Sequence, residues 1–167
     1  MKINFSSLRR IVFTIFLFVP AVFCIAATYY ISPTGNDATG NGTIGNPWRT
    51  LFKATSTVTA GNIIHVNAGT YTETRQCNLA VGVSIEGAGR ATTIIRSEIT
   101  GQWSTLLQLN SGQNTNGNQR ISGITIDGQY ESESNNKTWI GIWVTGRSNV
   151  LIHDCSIINF RDRGAIF

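Results

Sequence analysis

The chain is 167 residues long and carries 13 Lys and Arg against 9 Asp and Glu, a formal charge of +4 with a pI of about 9.3. That excess is no nucleic-acid signature, because Lys2, Arg9 and Arg10 precede the uncharged run Ile11 to Phe23, and removing this stretch leaves a nearly neutral protein. Only 13% of residues are charged while 41% are hydrophobic, which excludes a disordered chain and favours a β-rich domain.

The first element, residues 1–26, has the form of a signal peptide: basic residues, an apolar run too short to span a bilayer as a mature helix, and small residues at Ala26 and Ala27. Cleavage after Ala26 leaves 141 residues with ten cations and nine anions. The expectation is a secreted protein, extracellular or periplasmic, with no stable membrane insertion after cleavage and no nucleic-acid partner. Acylation of Cys24 is disfavoured by the bulky Phe23 before it. Cys77 and Cys155 then remain, too few for a disulfide scaffold, and are expected to pack as small hydrophobes.

Residues 27–61 open with the alternating strand Thr28 to Ser32 and a Gly/Asn/Asp loop, Pro33 to Asn46. Asn46 as a cap followed by Pro47 predicts a helix start, with Trp48, Leu51, Phe52, Thr55 and Val58 at helical spacing and Gly61 as its left-handed end. From Asn62 onward short apolar segments alternate with Gly/Asn/Ser turns: 62–66, 83–87, 92–96, 106–110, 121–128, 140–146 and 149–160. Such a series allows a sandwich, a barrel or a solenoid.

An internal repeat decides among them. Ile121, Gly123, Ile124 and Ile126 lie over Ile152, Asp154, Cys155 and Ile157 at an offset of 31, and Gly141 to Val144 over Gly164 to Phe167 at an offset of 23. A loop inserted between Gly128 and Thr138 accounts for the difference. Stacked coils tolerate such insertions because only their inward residues must stay in register. The predicted fold is all-β, a parallel β-helix of about four coils over residues 62–167 with a short N-terminal capping helix.

The segments Tyr29 to Asp37, Asn46 to Ala54, Gly61 to Tyr71, Val83 to Gly89 and Asn149 to Phe160 follow one another as at the start of secreted right-handed parallel β-helix proteins, which the chain resembles and which are similar in fold to pectate lyases. Asn62 departs from the acidic residue usual after that glycine. Members of this group run for several more coils, so the resemblance implies a truncated or fragmentary solenoid. It is less specific for activity, because the same start resembles lyases, hydrolases, epimerases and proteins of unknown role; a carbohydrate-active role is the leading expectation.

The repeat places the insertion Gln129 to Thr138 and the turn Arg161 to Arg163 at one corner of successive coils, about 4.8 Å apart. Asp127, Glu131, Glu133 and Lys137 are therefore expected near Arg161, Asp162 and Arg163. Elimination across a uronic acid needs its carboxylate neutralised and a base to take the adjacent proton. Arg161 and Arg163 are the candidates for binding the substrate carboxylate, Lys137 for the base, Trp143 for a sugar-stacking platform, and Asp127, Glu131 and Asp162 for a Ca2+ site. The partner expected is an acidic polysaccharide. The competing readings are a non-catalytic surface or adhesion module, an inactive N-terminal fragment, and, for the charged corner, a solvated loop with a few salt bridges.

Smaller signals complete the survey. His153-Asp154 suggests a base, although Asp154 replaces Gly123 of the preceding coil and so also suits a turn. Asn67, Asn110 and Asn159 end strands and are expected to form stabilising amide ladders. Asn41 and Asn136 begin glycosylation sequons.

Overall fold

The computed structural model describes residues 26–131 and 137–167. The expected signal peptide, Glu133 and the Asn136 sequon fall outside the described residues.

Among the described residues, eleven parallel-paired strands wind around one apolar interior in three faces. The first face is built from β1 (Thr28–Ile31), β2 (Ile63–Val66), β5 (Ser84–Gly87) and the ends of β7 (Thr105–Ser122) and β9 (Ile140–His153). The second face stacks β3 (Gly69–Glu73), β6 (Thr93–Ser97), β8 (Thr125–Asp127) and β10 (Ser156–Ile158). β4 (Cys77–Asn78), the starts of β7 and β9, and β11 (Arg163–Ile166) make the third. β7 and β9 each turn a corner between the third and first faces. Their ladder is interrupted between Asn110 and Thr115 and between Asn116 and Gln119. The arrangement is a parallel β-helix, and the predicted offsets hold: Ile121 pairs with Ile152, Ile126 with Ile157 and Ile142 with Ala165.

Register explains the core. Ile64, Ile85, Ile121 and Ile152 form one inward column, Tyr71, Ile95, Ile126 and Ile157 a second, and Cys77, Leu107, Ile142 and Ala165 a third. Both described cysteines are unpaired thiols, and burial pushes the Cys77 thiol well up. Between the first and second faces the chain bends through Gly87, Gly123 and Asp154 in successive coils. Gly123 has φ +69 and Asp154 φ +50, and a Cβ on Gly87 would lie 2.2 Å from the Gly123 carbonyl oxygen, so the coils approach too closely for a side chain there. On the opposite corner Arg147 ties three coils: Nη1 donates to Leu79 O at 3.0 Å and Gln119 Oε1 at 2.8 Å, and Nη2 to Asn110 O at 2.8 Å.

The capping helix differs from expectation. Only α1 (Leu51–Thr55) is helical, and its N-cap is Thr50, whose Oγ1 accepts from Lys53 N at 3.1 Å. Asn46 and Pro47 cannot begin it, because the chain from Asn46 to Trp48 serves β1 as an extra extended segment: Trp48 N donates to Tyr30 O and Ser32 N to Trp48 O. Trp48 is buried, stacked on Tyr29 at 5.5 Å. Gly61 has φ +85 but lies in the turn before β2, well after the Ser56 C-cap. The three named asparagines form no common ladder, since they end strands of different faces; an asparagine pair between coils is found instead at Asn149, whose Nδ2 donates to Asn116 Oδ1 at 3.2 Å.

Candidate functional site

The corner between the second and third faces is where the coils stop repeating. Coil by coil it is formed by residues 74–76, 98–104, 128–139 and 159–162. Backbone bonds fasten the inserted loop to the turn below it, as the repeat predicts: Gly128 N donates to Ile158 O, Tyr130 N to Asn159 O, Arg161 N to Thr138 O, and Asp162 N and Arg163 N to Trp139 O. Thr138 anchors the far end of the loop, its buried Oγ1 bonding Ser97 Oγ at 2.6 Å and Ile99 O at 2.7 Å. Lys137, half-buried, therefore adjoins the segment stacked directly on Arg161.

Two aromatic residues that the sequence reading passed over stand at this corner. Trp103 and Trp139 lie 5.2 Å apart with planes tilted by 47°, and the Arg161 guanidinium sits 4.7 Å from the Trp139 ring centroid, within cation–π range. Trp103 is 55% exposed and takes φ +60. Nothing in the strand patterning marks either residue, because both sit in loops whose lengths differ between coils. Their stacking emerges only once successive turns are superposed. Arg163 is exposed, with its Nη1 3.5 Å from Asp162 Oδ2.

The expected residues are thus partly gathered. Arg161, Asp162, Arg163 and Lys137 share the corner. Trp143 is half-buried on the outside of the third face, in line with Asn78, Gln108 and Ile166, beside an amide cluster in which Gln76 Nε2 donates to Asn78 Oδ1 at 2.8 Å and to Gln108 Oε1. Asp127 lies around the bend on the outside of the second face, where its Oδ1 accepts from Gln129 N at 2.9 Å and Asn159 Nδ2 at 3.0 Å. Glu131 is exposed at the border of the residues not described. Among the described residues no three His, Cys, Asp or Glu are placed to hold a metal ion.

The most perturbed carboxyl lies elsewhere and had no sequence signal beyond falling in phase with Tyr71. Glu73 is buried beneath α1, its Oε1 accepting from Leu51 N at 2.6 Å and Oε2 from Phe52 N at 3.2 Å. Burial pushes its pKa up to about 7, opposed by those two N–H bonds and reinforced by nearby Asp37. Asp37 in turn accepts from Arg49 N, Thr50 N and Thr50 Oγ1 at 2.7, 3.1 and 2.7 Å. Together they satisfy the helix's first donors. This is a structural role.

Fold and corner together define a parallel β-helix protein with an aromatic and cationic edge. Residues 33–87 match a family described as protein of unknown function (DUF1565), a family associated with parallel β-helix proteins. The match covers about a third of the chain, taking in the Gly/Asn loop, α1 and β2 to β5; of the corner it includes residues 74–76 and none of Trp103, Lys137, Trp139, Arg161 or Arg163. Neither a curated protein nor a solved structure matches the chain. Among the described residues no helix is long and apolar enough to cross a membrane.

Proposed function

We propose that this is an exported β-helix protein that binds acidic polysaccharide along the corner between the second and third faces and cleaves it by β-elimination. The observation that carries this reading is the column formed by Trp103, Trp139 and Arg161 on three consecutive coils, with Arg163 beside it. Aromatic rings stack on the apolar faces of sugars, and guanidinium groups pair bidentately with carboxylates. Repetition at the coil spacing of about 4.8 Å suits a polymer lying across the turns. In the cleavage step the arginines neutralise the uronate carboxylate, the uncharged amine of Lys137 takes the proton from the carbon beside that carboxylate, the C–H electron pair forms the double bond, and the glycosidic C–O bond breaks with its oxygen taking a proton from water. The arginines supply charge neutralisation in this reading, and a Ca2+ ion held by carboxylates would supply the same chemistry.

Titration calorimetry with pectate, alginate and chondroitin sulfate tests the binding. Trp103→Ala and Arg163→Ala should each weaken the preferred polymer about tenfold or more, more strongly at low salt for Arg163, while Arg90→Ala, at a different corner, should not. Absorbance of unsaturated ends should disappear in Lys137→Ala with binding retained, and its response to EDTA separates neutralisation by the arginines alone from neutralisation shared with Ca2+. Binding without unsaturated ends would point to an adhesion module. Unchanged affinity in both corner variants would return the corner to a solvated loop. Export is tested separately, since the mature protein should begin at Ala27 by mass spectrometry.

A further inference from the structure

The outer side of the first face carries a row of polar side chains that the glycan edge does not use. Register sets Tyr30, His65, Glu86, Ser122 and His153 on one line, one from each successive strand. Strand alternation accounts for this: Ile121 and Ile152 turn into the core, so Ser122 and His153 turn out. Asp154 follows at the bend with φ +50, a conformation that folds its carboxylate back onto the neighbouring ring. Its Oδ2 lies 2.8 Å from His153 Nδ1. A carboxylate held at Nδ1–H leaves Nε2 as the lone-pair nitrogen.

Ser122 is the direct register partner of His153, about 4.8 Å away along the stack. Ser122 is half-buried. No hydrogen bond joins it to the imidazole here, so catalysis requires rotation about the Ser122 side-chain bond to bring Oγ onto Nε2 while His153 keeps its contact with Asp154. A groove of about 240 Å³ runs alongside, lined by Ile63, Ser84, Glu86, Arg120 and Leu151 among others. It offers an apolar strip at Ile63 and Leu151 and a cation at Arg120, two residues before Ser122 on the same side of the strand.

We propose that Ser122, His153 and Asp154 form a hydrolytic site for carboxylic esters, separate from the polysaccharide edge and independent of it. Ser122 Oγ attacks the ester carbonyl carbon and passes its proton to Nε2 of His153. Asp154 holds the resulting imidazolium, and Arg120 faces the negative oxygen. The C–O bond to the alcohol breaks, and the alcohol leaves with the proton from His153. Water then attacks the acyl-Ser122 ester, again losing its proton to His153, which returns it to Ser122 as the acid departs. The net change is ester plus water to acid plus alcohol.

The test uses the full chain with a fluorophosphonate probe and p-nitrophenyl acetate. Peptide mass spectrometry should find the phosphonate on Ser122 of the unaltered protein. S122A and H153Q should each reduce p-nitrophenol release by about a hundredfold or more, and D154N by at least about tenfold, with thermal unfolding by circular dichroism unchanged. No label on Ser122 overturns the proposal, whatever the variants do. So does S122A hydrolysing at the unaltered rate, because the imidazole would then be acting alone.

Discussion

The interior columns and the corner between the second and third faces follow opposite rules. Along the columns each coil places an apolar side chain on the one before it, as Ile95, Ile126 and Ile157 do, and insertions elsewhere leave that register intact. At the corner the loops share neither length nor composition, and their alignment is maintained by a few backbone bonds such as Arg161 N to Thr138 O. The difference teaches that the periodic columns carry stability while the exposed corner is free to vary. Substituting the columns should destabilise the protein strongly, whereas substituting exposed corner residues should matter little to stability and, on the proposed function, mainly to binding.

The largest effect that would sharpen this contrast is expected at Ile124, 1% exposed. Ile124→Ala should cost about 2 to 5 kcal/mol in urea unfolding. Its neighbour Thr125 is not the silent outward position that alternation implies, because it too is buried and its Oγ1 donates to Arg90 O at 2.7 Å. Thr125→Ala should therefore cost about 1 kcal/mol. Equal losses at the two sites would break the assigned register.

A second prediction concerns the first coil, where the column phase contains a carboxyl. Glu73 titrates near 7 in the folded chain against an ordinary 4.5, so the folded state binds its proton more tightly than the unfolded state. The stabilisation from this proton is complete below about pH 4.5 and fades as pH rises through about 7, a change on the order of 3 kcal/mol at most. Unfolding at pH 5 and pH 8 should show the unaltered protein losing stability across that window, with a smaller loss in Glu73→Gln. A pH dependence unaltered by the substitution would show that Glu73 is not its source.

The smallest effect is expected at the corner itself. Arg163 is exposed and its ion pair with Asp162 is a surface contact, so Arg163→Ala should shift unfolding by no more than about 0.5 kcal/mol. A loss comparable to that of Ile124→Ala would abolish the distinction between the two regions.

The sequence by itself determined the repeat: its offsets, the inward residues Ile121, Ile124, Ile126, Ile152, Cys155 and Ile157, the bend at Gly123 and Asp154, and the meeting of the inserted loop with Arg161 to Arg163. These are legible because a stacked coil writes its register as a periodic pattern, and two coils of one chain can be compared directly. The helix start at Thr50, the burial of Glu73, the Arg147 bridge and the pairing of Trp103 with Trp139 were decided only in three dimensions. Each joins residues whose separation follows no period: Glu73 meets Leu51 across 22 positions, Arg147 meets Leu79 across 68, and the two tryptophans meet across loops of unequal length. Asn46 and Pro47 show the same limit from the other side. Their local preference for starting a helix was outweighed by the backbone bonds that β1 makes with Trp48, a contact no local pattern records.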